Sequence, residues 1–172
     1  MNPDFGKRQS NSLRALLRGL LGGLLGAICL LATATPTIAA EPAGYLREFA
    51  RTRAIIETSG QTCLMLELYL ADSPQQHAQG LMFIDRMDEF EGMLFLYGRD
   101  ATMVMWMKNT HIPLDMLFIR ADGEIAHIAQ RTQPMSTERI SSQQPVRFVL
   151  ELNGGMTERW SIEPGDYLLA ID

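Results

Sequence analysis

About eight short β-type runs, each closed by turn chemistry, recur along the second two-thirds of the chain, and no long helical period separates them. They fall at 53–57, 62–70, 92–97, 102–107, 114–120, 125–129, 147–152 and 167–171. A chain of this kind buries its apolar residues by stacking or curling a sheet, because strands alternate their side chains between two faces. In the run 62–70, Leu64, Leu66, Leu68 and Leu70 alternate with Cys63, Met65, Glu67 and Tyr69, so one leucine face points to a core. Ser59-Gly60-Gln61 punctuates the first pair as a hairpin, and Asp122-Gly123 predicts a type I′ turn, with positive φ at both residues. One helix is expected near 74–80, with Ser73 as N-cap, Pro74 at its first position, Gln76 completing a capping box and Gly80 as the stop. A turn or short helix fills 154–160, and Pro164-Gly165-Asp166 forms the last turn. Without a βαβ rhythm, the expected fold is mainly β: an antiparallel sandwich or barrel of about eight strands with one short helix.

Ahead of this domain lies a polar stretch with Lys7, Arg8, Arg14 and Arg18, then a run nearly free of charge from Gly19 to Ala34. Pro36 breaks the run, and Ala39 and Ala40 offer small residues for cleavage. Residues 1–40 therefore read as a cleaved secretory signal peptide, which places the product in the periplasm or outside the cell. The apolar run falls short of the about 20 residues of a spanning helix, so no stable membrane anchor is expected after cleavage. Cys29 is preceded by Ala27 and Ile28, where a lipoprotein signal would have a small residue directly before the cysteine. Residues 41–51, with Pro, Gly and mixed charge, read as a flexible tether, and 52–172 as a single domain.

Cleavage after Ala40 leaves 11 basic and 19 acidic residues, a net charge of −8. Such a chain has no basic stripe for nucleic acid and is repelled by anionic membranes. The mature part keeps only Cys63, which excludes an internal disulfide, and its strand context suggests a buried, inert thiol. The templates of a serine nucleophile elbow, a phosphate loop, a zinc site and a dinucleotide fingerprint are all absent, and no cofactor is expected.

The block Trp106-Met107-Lys108-Asn109-Thr110, followed by Ile112-Pro113-Leu114-Asp115, resembles the signature of domain-of-unknown-function family 192. Supporting pieces follow in order: Gly80-Leu81-Met82-Phe83, Gly92-Met93-Leu94-Phe95, Val149-Leu150-Glu151-Leu152-Asn153 and the Gly165-Asp166 turn. The resemblance implies a small, often exported prokaryotic protein with a compact β-fold of jelly-roll type and no agreed reaction. It also implies an arginine just after the Gly-Leu-Met-Phe piece, where this chain has Ile84 instead, with Arg86 two residues on.

On their own terms, these blocks nominate a site. Lys108 and Asn109 arrive where an apolar strand ends, ahead of the constrained Ile112-Pro113 turn, and are thus held on a rigid support, with Trp106 as a wall. Both faces of that strand are apolar, as a strand covered on two sides requires. Asp115 and Glu151 interrupt apolar strands, where a carboxylate needs a partner. Lys108, Arg147 and Arg86 are the available cations; capping of backbone N–H groups is the structural alternative. The candidate ligand site is therefore Trp106, Lys108, Asn109, Asp115 and Glu151, serving a non-catalytic module that binds an unknown small ligand or an envelope protein. Two other readings follow from the same residues. One is an envelope-related enzyme using Asp115 and Glu151 as its carboxylates. The other is a Cu(I) protein using the thioethers of Met103, Met105 and Met107, with His111 beyond them.

Overall fold

The computed structural model describes residues 44–171. The expected signal peptide, 1–40, lies outside the described residues. Seven strands form one sheet: β1 (Ala50–Glu57), β2 (Cys63–Ala71), β3 (Glu91–Met105), β4 (Leu114–Ile119), β5 (Ile125–Thr132), β6 (Ile140–Asn153) and β7 (Tyr167–Ile171). Two short helices accompany them, α1 (Pro74–Gln79) and α2 (Met156–Arg159). The strand order is β5-β4-β6-β3-β2-β1-β7.

The expected mainly β fold is present as a mixed sheet curled into a half-barrel. Leu64, Leu66 and Leu68 of β2 meet Leu117 and Ile119 of β4 and Leu150 and Leu152 of β6 in one buried cluster. Strands so far apart in the order share a cluster only across the concave side of a curl. The curl closes where the chain after Gly165 returns to the start of β5: the Ile125 N–H donates to the Asp166 carbonyl at 2.8 Å, and the Leu168 N–H to the Gly123 carbonyl at 2.9 Å. A second cluster covers the convex side. There Tyr69, Met93, Phe95, Met116, Phe118 and Val149 pack under Leu81, Ile84 and Met107 from the connecting segments.

Four expectations are corrected. First, 92–97 and 102–107 belong to one strand: β3 runs on through 15 residues and is merely dislocated against β6 between Leu96 and Ala101. β6 likewise begins at Ile140, well ahead of the expected run 147–152. Second, β2 and β3 are parallel, so the sheet contains one βαβ crossover, made by α1 and the loop after it. Third, the tether is structured from Gly44: a 3-10 turn over Gly44–Glu48 buries Leu46, and Phe49 follows it into the convex core. Fourth, Cys63 is exposed, since it opens β2 on the face opposite Leu64.

The helix and turns follow their local chemistry. Ser73 accepts from the Gln76 N–H and the Gln76 side chain returns to the Ser73 N–H, completing the capping box, with Pro74 at the first position. At Asp122-Gly123 only the glycine has positive φ, 93°. The Asp122 side chain instead accepts from the Glu124 N–H, and the extra residue appears as a register shift between Phe118 and Ile119. The turn is thus a bulged hairpin rather than type I′.

Candidate functional site

A cleft of about 260 Å³ opens on the convex side, between α1 and the two halves of β3. Its shape originates in the dislocation of β3. Met93, Phe95 and Tyr97 share a face of the regular half, after which the strand leaves its register with β6 and rejoins it at Ala101. Arg147 donates to Asp100 at 2.7 Å and holds that excursion. The second half then brings Val104, Met105 and Trp106 to the other wall.

The α1 side is fixed by His77. Its ring lies 4.6 Å from that of Tyr97 and 6.0 Å from that of Phe95, and its Nε2 sits 3.0 Å from the Ala71 carbonyl, so Nε2 carries the hydrogen. Gly80 ends the helix with φ 48°; a Cβ there would stand 3.2 Å from Phe95 Cζ. The glycine therefore serves both the turn and the close seat of the helix on β3. Leu81 and Met82 continue the wall.

Glu151 also lines the cleft, yet the residue is only 4% exposed. It pairs in register with Met93 of β3 and Met116 of β4, which places its side chain on the convex face. Among the described residues its carboxyl has no hydrogen-bond partner and no counter-ion. Burial pushes its pKa up to about 8, so the group is largely a neutral acid at pH 7. The Tyr97 hydroxyl is pushed up to about 12, first by burial and then by the charge that Glu151 would carry. Trp106, half exposed at 50%, and the exposed Lys108 complete the rim.

Three of the five nominated residues, Trp106, Lys108 and Glu151, are thus brought together, and two are not. Asn109 adopts φ 56°, and its carbonyl accepts from the Phe83 N–H at 2.8 Å. It makes the turn that ties the segment after β3 to the loop after α1, a left-handed position that asparagine tolerates. Asp115 is fully buried on the opposite face of the sheet, since it pairs in register with Leu152 whereas Glu151 pairs with Met116. Its Oδ1 accepts from the N–H groups of Arg131 and Gly155 at 2.7 and 3.0 Å. Its Oδ2 accepts from the Thr157 N–H at 2.9 Å and the Thr157 hydroxyl at 2.7 Å. Asp115 is therefore a structural staple joining β4, the end of β5 and α2.

This geometry bears on the other two readings. Asp115 and Glu151 lie on opposite faces and cannot flank one bond, so a paired-carboxylate mechanism has no site here. Of the three methionines, Met107 is wholly buried in the convex core, and Met105 accepts a weak hydrogen bond from the Tyr97 hydroxyl at 3.7 Å. His111 is turned towards Asp85, 2.7 Å away, and is not assembled with them. Among the described residues no group of three His, Cys, Asp or Glu side chains converges as a metal site. The expectation that the Trp106 strand is covered on both faces is also corrected: Val104 and Trp106 face solvent at the cleft mouth.

His77, Phe95, Tyr97 and Met82 were missed by sequence reasoning. Tyr97 was within reach, because it continues the Met93-Phe95 alternation; His77 depends on where α1 docks, which no local pattern encodes.

Comparison with known proteins agrees with this fold. A protein from Sinorhizobium meliloti 1021, whose name proposes a role in transcription regulation, is 43% identical with a TM-score of 0.70, over 71% of this chain and 95% of its own. A protein of unknown function from Novosphingobium aromaticivorans DSM 12444 is 30% identical with a TM-score of 0.69, over 76% of this chain and 90% of its own. No curated protein matches. Residues 54–170 match the model of the family described as DUF192, an uncharacterized ACR. With that match spanning most of its length, the chain belongs to domain-of-unknown-function family 192.

Proposed function

We propose that this protein is a small-ligand-binding module whose site is the cleft between α1 and β3. One observation carries the reading: Glu151 presents a buried carboxyl, unpartnered among the described residues, to a cavity walled by aromatic side chains. Buried polar groups are nearly always satisfied, and one left open at a concave surface is a binding determinant in wait of its partner. Lys108 stands exposed at the rim, and Trp106 supplies an exposed apolar platform. The role in transcription regulation proposed by the name of the Sinorhizobium protein is not carried over, because the net charge of −5 runs against nucleic-acid binding.

The proposal includes export. The basic start, the uncharged run at 19–34 and Ala39-Ala40 support a mature chain that begins near Glu41 and works in the periplasm or outside the cell. The mass of the protein recovered from the cell envelope is expected to match residues 41–172; the mass of the intact chain would exclude cleavage.

The cleft is tested by amide and indole NMR against a broad library of small charged and neutral organic molecules. Hits are expected to shift the Trp106 indole and the α1 amides while leaving Trp160 unmoved. A library that shifts residues elsewhere, or none in the cleft, overturns the assignment.

A further inference from the structure

We propose that the ligand is a small organic ammonium ion, its N–H groups meeting the Glu151 carboxyl and its carbon framework lying among the rings of His77, Phe95, Tyr97 and Trp106. This rests on the reading of the cleft as a ligand site and narrows it to a chemical class. As the neutral acid Glu151 offers one O–H donor beside its acceptor lone pairs, and as the carboxylate acceptors alone, so a hydrogen-bond donor is the partner that fits both forms. The surrounding rings select further, because the faces of aromatic systems attract cations as well as apolar groups. An alcohol supplies a donor and an apolar chain but no charge for the ring faces and the carboxylate, and an alkyl chain supplies neither donor nor charge, whereas an ammonium group on a short carbon chain supplies all three. The desolvated setting of Glu151, 4% exposed, also strengthens a charge pair relative to the same pair in water. The acidic chain draws cations towards it at long range.

Proton balance follows from the same geometry. The groups facing Glu151 are Met93 and Met116 beside it in the sheet, His77 from α1, Tyr97 from β3 and Lys108 just after β3. Only Lys108 is a fixed cation, and it stands exposed at the rim. Capture of an ammonium ion converts the Glu151 acid to its carboxylate; the O–H bond breaks, the proton goes to solvent, and the ammonium keeps all its protons. Binding therefore releases up to one proton per ligand below the Glu151 pKa of about 8. Lys108 opposes the incoming charge, which gives its removal a sign that separates ligand classes.

The test is titration calorimetry of the purified protein with butylammonium and phenethylammonium, with butanol and butyrate as neutral and anionic counterparts. The amines are expected to bind and the counterparts not to, with affinity rising up to about tenfold per unit between about pH 6 and 8 and proton release visible as a dependence on buffer ionisation enthalpy. Glu151→Gln is expected to remove the pH dependence and at least about tenfold of affinity, because the amide cannot carry the charge. Trp106→Leu, a change at an exposed position, is expected to cost about three- to thirtyfold. Lys108→Ala is expected to tighten amine binding at low salt, and His77→Gln to keep the pH slope. Binding of butanol as tight as that of the amines, or of butyrate with loss on Lys108→Ala, overturns the ammonium assignment while the cleft itself stands. Failure of all three classes to bind at millimolar concentration overturns it too, and the NMR screen then decides separately whether the cleft binds anything else.

Discussion

Asp115→Asn is expected to cost about 4 kcal/mol of folding stability, a large share of the about 5–15 kcal/mol that holds an ordinary domain folded. The carboxylate accepts four hydrogen bonds, from the N–H groups of Arg131, Gly155 and Thr157 and from the Thr157 hydroxyl. An amide turns one acceptor oxygen into a donor, which then opposes two of those donors in a fully buried site. Each donor left unsatisfied there costs about 1–3 kcal/mol, and hydrogen bonds to a charged acceptor are worth about 1.5–3 kcal/mol. Thr157→Val, which removes the hydroxyl's donation to Asp115 together with its acceptance from the Gln130 side-chain N–H, sets the scale at about 1–3 kcal/mol. Urea denaturation of the three proteins at one pH measures the series. A loss below about 1 kcal/mol for Asp115→Asn would sink the staple and return Asp115 to the list of functional candidates. The backbone shows why the staple is placed there. Arg131 at φ 48° and Gly155 at φ 89° both leave the right-handed and extended regions, and Asp115 binds the N–H of each.

That a carboxylate sits inside an apolar strand is legible in the sequence at both Asp115 and Glu151; that they have opposite roles is not. The difference is one residue of register. Asp115 stands opposite Leu152 and Glu151 opposite Met116, so the period of two sends one carboxylate into the concave core and the other to the convex cleft. Pairing between strands far apart in the chain leaves no local trace, and for the same reason the parallel β2-β3 pair was read as part of an antiparallel set. Elements governed by neighbouring residues fared better. The Ser73–Gln76 capping box, the leucine face of β2 and the short helix after Gly155 arise from contacts within a few residues and stand where the pattern puts them. The dislocation in β3 lies between these extremes. The runs 92–97 and 102–107 read as two strands, but the sheet resumes on the same partner, β6, and the residues flanking the interruption, Tyr97 and Val104, line the cleft.

Glu151→Gln is expected to stabilise the fold at neutral pH and to do so in proportion to pH. An acid whose pKa rises on folding, here from 4.5 to about 8, holds its proton more tightly in the native state than in the unfolded chain. Its neutral form favours folding below the unfolded value, and that advantage is drawn down as pH climbs from about 4.5 towards 8. At pH 7 the deficit is about 3 kcal/mol, because the unfolded chain is free to ionise while the native state is largely not. Glutamine matches the neutral acid in shape and has no proton to lose, so it escapes the deficit; its second N–H, unpaired in the cleft, returns about 1 kcal/mol of it. The variant is therefore expected to gain about 2 kcal/mol at pH 7, a rise in Tm of several degrees, and to show no gain near pH 4. Denaturation curves of both proteins across that range read the difference directly, and a gap that does not change with pH would show that Glu151 ionises as freely in the fold as out of it. A buried acid that weakens its own protein at working pH has no structural reason to be there, since an apolar or amide side chain would serve the packing better. If the same substitution that strengthens the fold also abolishes ligand capture, then Glu151 belongs to the function of the cleft and not to the architecture that holds it open.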